Sequence, residues 1–124
     1  MAGMTAPEQG LTISHPGRWT VRGAWAAPPH AVAALVLAHG AGAPMDHPFL
    51  VGFARAMNAE GVATLRFNFP AMEAGRRSPD PEPVLRDAWT VAFEAAGRRS
   101  AGLPVLAGGK SLGGRIASMC VADG

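Results

Sequence analysis

The stretch from Leu103 to Ser118, Leu-Pro-Val-Leu-Ala-Gly-Gly-Lys-Ser-Leu-Gly-Gly-Arg-Ile-Ala-Ser, constrains this chain more than any other. A short apolar run meets paired glycines, a serine and two more glycines, and small and apolar residues follow, which reads as strand, tight turn and helix. Its centre, Gly109-Lys110-Ser111-Leu112-Gly113, fits the pattern G-x-S-x-G. So sharp a turn holds Ser111 in a sparsely allowed backbone region. The flanking strand and helix can then approach only if the residues two before and two after the serine are small, and Gly109 and Gly113 meet that demand.

The rest of the chain supplies the layers around this turn. Residues 1–10 read as a flexible tail, and residues 11–124 as one domain, since 124 residues are too few for two. Leu11–Ser14 and Trp19–Ala26 pair as an antiparallel hairpin across His15-Pro16-Gly17-Arg18, because Pro-Gly is turn chemistry and the second run alternates. Ala31–Ala38 is apolar throughout, as a strand buried on both faces should be. A helix opens at Pro48, carries Phe49, Leu50, Phe53, Ala54 and Met57 at helical spacing, and stops at Gly61. Val62–Phe67 reads as another buried strand with Arg66 the exception, Ala71–Pro83 as a long surface loop, and Val84–Arg99 as a helix with an apolar stripe. Leu103–Ala107 is the strand before the serine turn. A last helix over 112–122 turns Ile116, Met119 and Cys120 toward the core.

Strands alternating with helices imply right-handed crossovers, and hence a three-layer α/β sandwich on a mostly parallel sheet. Ligands of such sheets bind at the carboxyl ends of the strands, where both glycine-rich bends, after Ala38 and after Ala107, fall.

Composition excludes several partners. The net charge of +2 comes from arginines spread along the chain without a basic stripe, so no nucleic acid is expected. Met1–Gly10 lacks the pattern of a secretory signal, and no apolar run reaches membrane-spanning length, so no membrane contact is expected either. The single cysteine, Cys120, cannot form an internal disulfide and fits a reducing, cytoplasmic setting.

The chemistry these residues suit is acyl transfer, which needs a nucleophile, a base and donors for the oxyanion. Ser111 is the nucleophile candidate, with the Leu112 N–H at the start of the next helix as one donor. His39-Gly40-Ala41-Gly42 is similar to the HGGG-type oxyanion loop and supplies the second donor, assigned to the Ala41 N–H. Glycine-rich strand-to-helix turns also serve as packing devices alone, and it is the pairing with His39-Gly40 that favours catalysis. A phosphate-binding loop is the rival reading of Gly109-Lys110-Ser111. It fails because G-x-x-x-x-G-K-[ST] needs glycine where Pro104 stands.

His39-Gly-Ala-Gly42 with Met45-Asp-His-Pro-Phe49, Arg66-Phe-Asn-Phe-Pro70 and Gly108-Gly-Lys-Ser-Leu-Gly-Gly-Arg115 together resemble the α/β-hydrolase superfamily. More narrowly they resemble its small dienelactone-hydrolase-like branch, which includes the testis-expressed and chromatin-complex relatives. The resemblance runs from about Trp19 onward. It implies an eight-stranded, mostly parallel sheet and serine hydrolysis of a small-molecule ester or related acyl bond, with no metal or organic cofactor. In that family the acid and the catalytic histidine follow the serine. Here only Leu112–Gly124 follow, with no histidine and only Asp123, so the chain reads as the N-terminal part of such a hydrolase, inactive or weak by itself. His39 is the best-placed histidine to serve as base, although a histidine in that motif more commonly shapes its loop. The alternative is a non-catalytic scaffold that binds a protein partner. A domain ending near Ser111 also leaves its last strand as an open edge, through which copies are expected to self-associate.

Overall fold

The computed structural model of the chain describes residues 7–40 and 42–109. Five strands and three helices follow in the order β1 (Glu8–His15), β2 (Trp19–Ala26), β3 (Ala33–Ala38), α1 (Pro48–Ala59), β4 (Val62–Phe67), α2 (Pro70–Glu73), α3 (Glu82–Arg99) and β5 (Val105–Gly109). The strands form one sheet in the order β1-β2-β4-β3-β5.

The sheet is mixed rather than mostly parallel. β3 runs parallel to β4 and to β5, because helices carry the chain back between them. β1 pairs β2 antiparallel, because Pro16 and Gly17 reverse the chain within a tight turn, and β2 in turn pairs β4 antiparallel. Gly17 sits at φ +74°, which an L side chain rarely adopts, and Arg18 N–H donates to the His15 carbonyl at 3.0 Å to close that turn.

Side-chain alternation sorts the two faces. Ala34, Val36 and Ala38 of β3, with Ala63, Leu65 and Phe67 of β4, meet Leu85, Ala88, Trp89, Ala92 and Ala96 of α3 in the larger core. Leu35 and Leu37 turn the other way, onto Leu50 and Ala54 of α1. β3 therefore reads as an unbroken apolar run for the expected reason, burial on both faces. Trp89 stands at the centre of the α3 layer, edge-on to Phe67 with ring centroids 5.5 Å apart. The α1 start also follows its sequence signals: Pro48 is the first helical residue, and His47 Nδ1 accepts from the Phe49 N–H at 3.2 Å.

Three boundaries differ from expectation. β1 begins at Glu8, inside the stretch assigned to a tail, because Glu8 is tied to a buried arginine discussed below. The 71–83 stretch is not wholly a surface loop. It begins within α2, and both Ala71 and Asp80 are buried because the Asp80 carboxylate accepts from the Ala71 N–H at 2.7 Å. β5 extends through Gly108 and Gly109, held there by the parallel ladder to β3. The helix expected over 112–122 lies outside the described residues.

Gly23 is where strand packing leaves no room. A Cβ there would lie 3.0 Å from Ile13 Cδ1 and 3.3 Å from the Arg66 carbonyl oxygen. Gly23→Val is expected to destabilise the fold by about 1–3 kcal/mol, read from the urea midpoint of a two-state melt.

Candidate functional site

The register of β3 against β5 sets the site. Ala38 pairs with Gly109, so the bend that begins at His39 and the chain that continues to Lys110 leave the sheet from adjacent strands at one rim. Of the residues expected to form the site, His39, Gly40, Gly42 and Gly109 are described. Ser111, Leu112, Gly113 and Ala41 lie outside the described residues.

His39 is buried, 3% exposed, and both of its ring nitrogens are engaged. Nδ1 lies 2.5 Å from the Gly40 carbonyl oxygen and Nε2 accepts from the Phe69 N–H at 2.9 Å. A carbonyl can only accept, so the proton sits on Nδ1 and the Nε2 lone pair is taken. Burial pushes the His39 pKa below its ordinary value of 6.5, while the Gly40 carbonyl and the Asp80 charge partly oppose that shift. The ring is therefore a neutral brace between the ends of β3 and β4, with no lone pair left for use as a base.

The loop after His39 is held by two side chains that follow one another on the same face of β4. Arg66, 2% exposed, donates to the Met45 carbonyl at 2.6 Å and to Asp46 Oδ1 at 3.1 Å, and pairs with Glu8 from β1. Asn68 Oδ1 accepts from the Met45 N–H at 2.9 Å. Both backbone groups of a buried residue in mid-loop are thus satisfied from β4. Asn68 is oriented in turn: its Nδ2 donates to Glu73 at 3.1 Å, and its own N–H donates to the Arg22 carbonyl. Glu73 also accepts from the Arg22 N–H at 2.9 Å and from the Arg22 guanidinium. Burial alone would raise the Glu73 pKa. The Arg22 N–H, the Asn68 amide and the Arg22 charge outweigh it and hold the carboxyl below its ordinary value of 4.5.

Beside His39 the surface dips into a small hollow with Phe69, Met72 and Leu85 as apolar lining and Arg76 and Arg77 at its mouth. Arg76 reaches Asp80 Oδ1 at 3.3 Å. Asn68 falls in the Arg66–Pro70 motif without a role read from the sequence, and Glu73 and Asp80 carry no sequence signal of their own. The available signal was the polar-apolar alternation Arg66-Phe67-Asn68-Phe69, which interrupts a buried strand at its carboxyl end.

Comparison with known proteins agrees with this geometry. The sequence matches the alpha/beta hydrolase domain family over residues 31–124, and the chain belongs to that family. Among solved structures it is similar to a dienelactone hydrolase from Anabaena variabilis, at 22% identity and TM-score 0.82, covering 97% of this chain and 59% of that one. It is also similar to an α/β serine hydrolase without a lid from Xanthomonas campestris, at 19% identity and TM-score 0.78, covering 97% and 58%. A serine hydrolase homologue from Coxiella burnetii gives 17% identity and TM-score 0.79, covering 99% and 60%. The chain thus spans less than two thirds of the length of these structures. No curated protein matches it by sequence. Among the described residues, no helix is long and apolar enough to cross a membrane.

The neutral His39 brace makes stability depend on pH. The unfolded histidine takes up a proton near pH 6.5 and the folded one only at lower pH, so its contribution is complete above pH 6.5 and declines as pH falls below it. The contribution of Glu73 persists above pH 4.5 and is lost as pH falls through its lower folded value. Urea midpoints measured from pH 7 to pH 5 are expected to fall, and His39→Gln is expected to flatten that decline.

Proposed function

We propose that the chain carries the nucleophile and oxyanion parts of a serine hydrolase that acts on carboxylic ester or related acyl bonds of a small molecule. The observation that supports this reading is the pairing of Ala38 with Gly109, the residue before His39 with a glycine two before Ser111, on neighbouring strands at one rim. In the proposed reaction Ser111 Oγ attacks the acyl carbon, the carbonyl oxygen takes up negative charge, and the N–H groups of Leu112 and Ala41 stabilise it. The base takes the Ser111 hydroxyl proton and returns it to the alcohol that collapse expels, leaving an acyl-serine that water cleaves to the acid. The described part of the site suits that role, since the loop from His39 onward is fixed by Arg66 and Asn68 before any substrate arrives.

The base is assigned to a histidine outside the four present here. His39 has both nitrogens engaged, His47 caps α1, His15 ends β1 at the sheet edge, and His30 precedes β3 at the opposite rim. Activity of this chain alone is therefore expected to be weak. A cytoplasmic setting, in keeping with the single Cys120, belongs to the same reading.

A fluorophosphonate probe tests the proposal. Slow labelling, in keeping with the missing base, is expected and is abolished by Ser111→Ala; Asn68→Ala, which frees the Met45 N–H, slows it about ten- to a hundredfold further through the misplaced loop. A failure to label favours the non-catalytic scaffold that binds a protein partner. β5 is the outermost strand on its side among the described residues, and Leu106 on it is 52% exposed. Light scattering is therefore expected to show association that grows with protein concentration.

A further inference from the structure

The opposite edge of the sheet carries a feature that the hydrolase reading does not use. β1 is the outermost strand there, eight residues long, so the backbone groups on its outer side have no ladder partner among the described residues. None of the usual protections stands on it: it contains no proline and no lysine, and its one acidic residue, Glu8, is turned to Arg66 on the α1 face. On the α3 face, a groove runs between this edge and the end of α3. Gln9, Leu11 and Thr12 of β1 line it with Arg98 and Arg99 of α3, and Ile13 and Ala95 lie buried beneath. Arg99 donates to the neutral Gln9 amide oxygen at 3.2 Å, and neither arginine meets a carboxylate among the described residues.

We infer that this groove is a docking site for an extended acidic peptide that adds to β1 as a further strand. Strand addition supplies backbone hydrogen bonds to the open edge, and side chains alternate so that every second one faces the groove. Those facing inward meet two guanidinium groups that face no carboxylate among the described residues, so the fitting partner alternates carboxylates with small side chains. The helix terminus accounts for cations at Arg98 and Arg99, since the α3 carbonyl end is negative, but not for the uncovered strand beside them.

The probe is a fluorescein-labelled eight-residue peptide in which glutamate alternates with threonine, added to the 124-residue chain at low salt. Binding is expected, with slowed amide exchange at residues 9–13. The Arg98→Gln, Arg99→Gln double variant is expected to weaken binding about tenfold, as the loss of two exposed ion pairs would. Two changes to the peptide leave the protein untouched: lysine in place of glutamate, and N-methylation of alternate amides in either phase. The lysine peptide and one methylated phase are expected not to bind, whereas the other phase, whose methylated amides face away from β1, is expected to bind. Equal binding of the lysine peptide or of both methylated peptides overturns the inference. So does protection at Val105–Gly109 in place of β1, protection of β1 that rises with protein concentration without peptide, or no binding at millimolar peptide.

Discussion

The structure depends on how the two backbone polar groups of Met45 are satisfied. β3 is hydrogen-bonded on both sides, by β4 and β5, so the chain that leaves it has no strand partner left and must cross the sheet's rim as a loop. Met45 is buried in that loop, 4% exposed, where an unpaired N–H or carbonyl costs about 1–3 kcal/mol. Arg66 and Asn68 supply one partner each, from alternate positions of the β4 exit. The loop is thereby fixed by the strand next to it rather than by its own sequence.

Burying a guanidinium is expensive, and a buried ion pair is weak evidence for stability. Arg66 is better understood through where its partners come from. Asp46 belongs to the loop and Glu8 to the first strand, so a single side chain joins β1, β4 and the bend after β3. Replacing the arginine alone with an apolar residue of similar volume would spare the cost of burying its charge, yet would leave the buried Met45 carbonyl orphaned and the loop free to move. Arg22 does the same from β2 through Glu73 and Asn68, with an exposed guanidinium and a partly covered carboxylate. Position, rather than net stabilisation, is what these charges supply.

The pattern of the chain made the layers legible and the site braces illegible, for one reason. The β3 run, the Val62–Phe67 run and the α3 stripe are set by periodicity within a few residues, and each stands where that periodicity places it. The His47 cap and the Pro16-Gly17 turn are likewise local. Asp80 is different: it is buried because a backbone N–H nine positions earlier needs an acceptor, and nothing within the proline-rich stretch announces that. Glu8 is ordered by a partner 58 positions away, so composition alone made its neighbourhood look like a tail. The glycines at 108 and 109 suggested a turn, whereas the ladder to β3 extends the strand through them. For His39, the sequence left a choice between a loop brace and a base. The Phe69 N–H on its Nε2 decides for the brace, through a contact made across two strands.

The division of the sheet into an antiparallel and a parallel half follows from what each half must do. Three parallel strands joined by crossovers deliver every carboxyl end to the same rim, which is how Ala38 and Gly109, far apart in sequence, become neighbours. A hairpin cannot do this, since adjacent antiparallel strands end at opposite rims. What the hairpin can do is pass alongside the exit of β4. The pairing of Gly23 with Phe67 and of Ala24 with Arg66 brings Arg22 to the rim, where its carbonyl accepts from Asn68 and its N–H meets Glu73. The tight approach at Gly23, whose Cβ would press on the Arg66 carbonyl, is the cost of that placement. The antiparallel half is therefore a brace for the loop that leaves the parallel half, and its effect on the proposed site passes through the position of that loop.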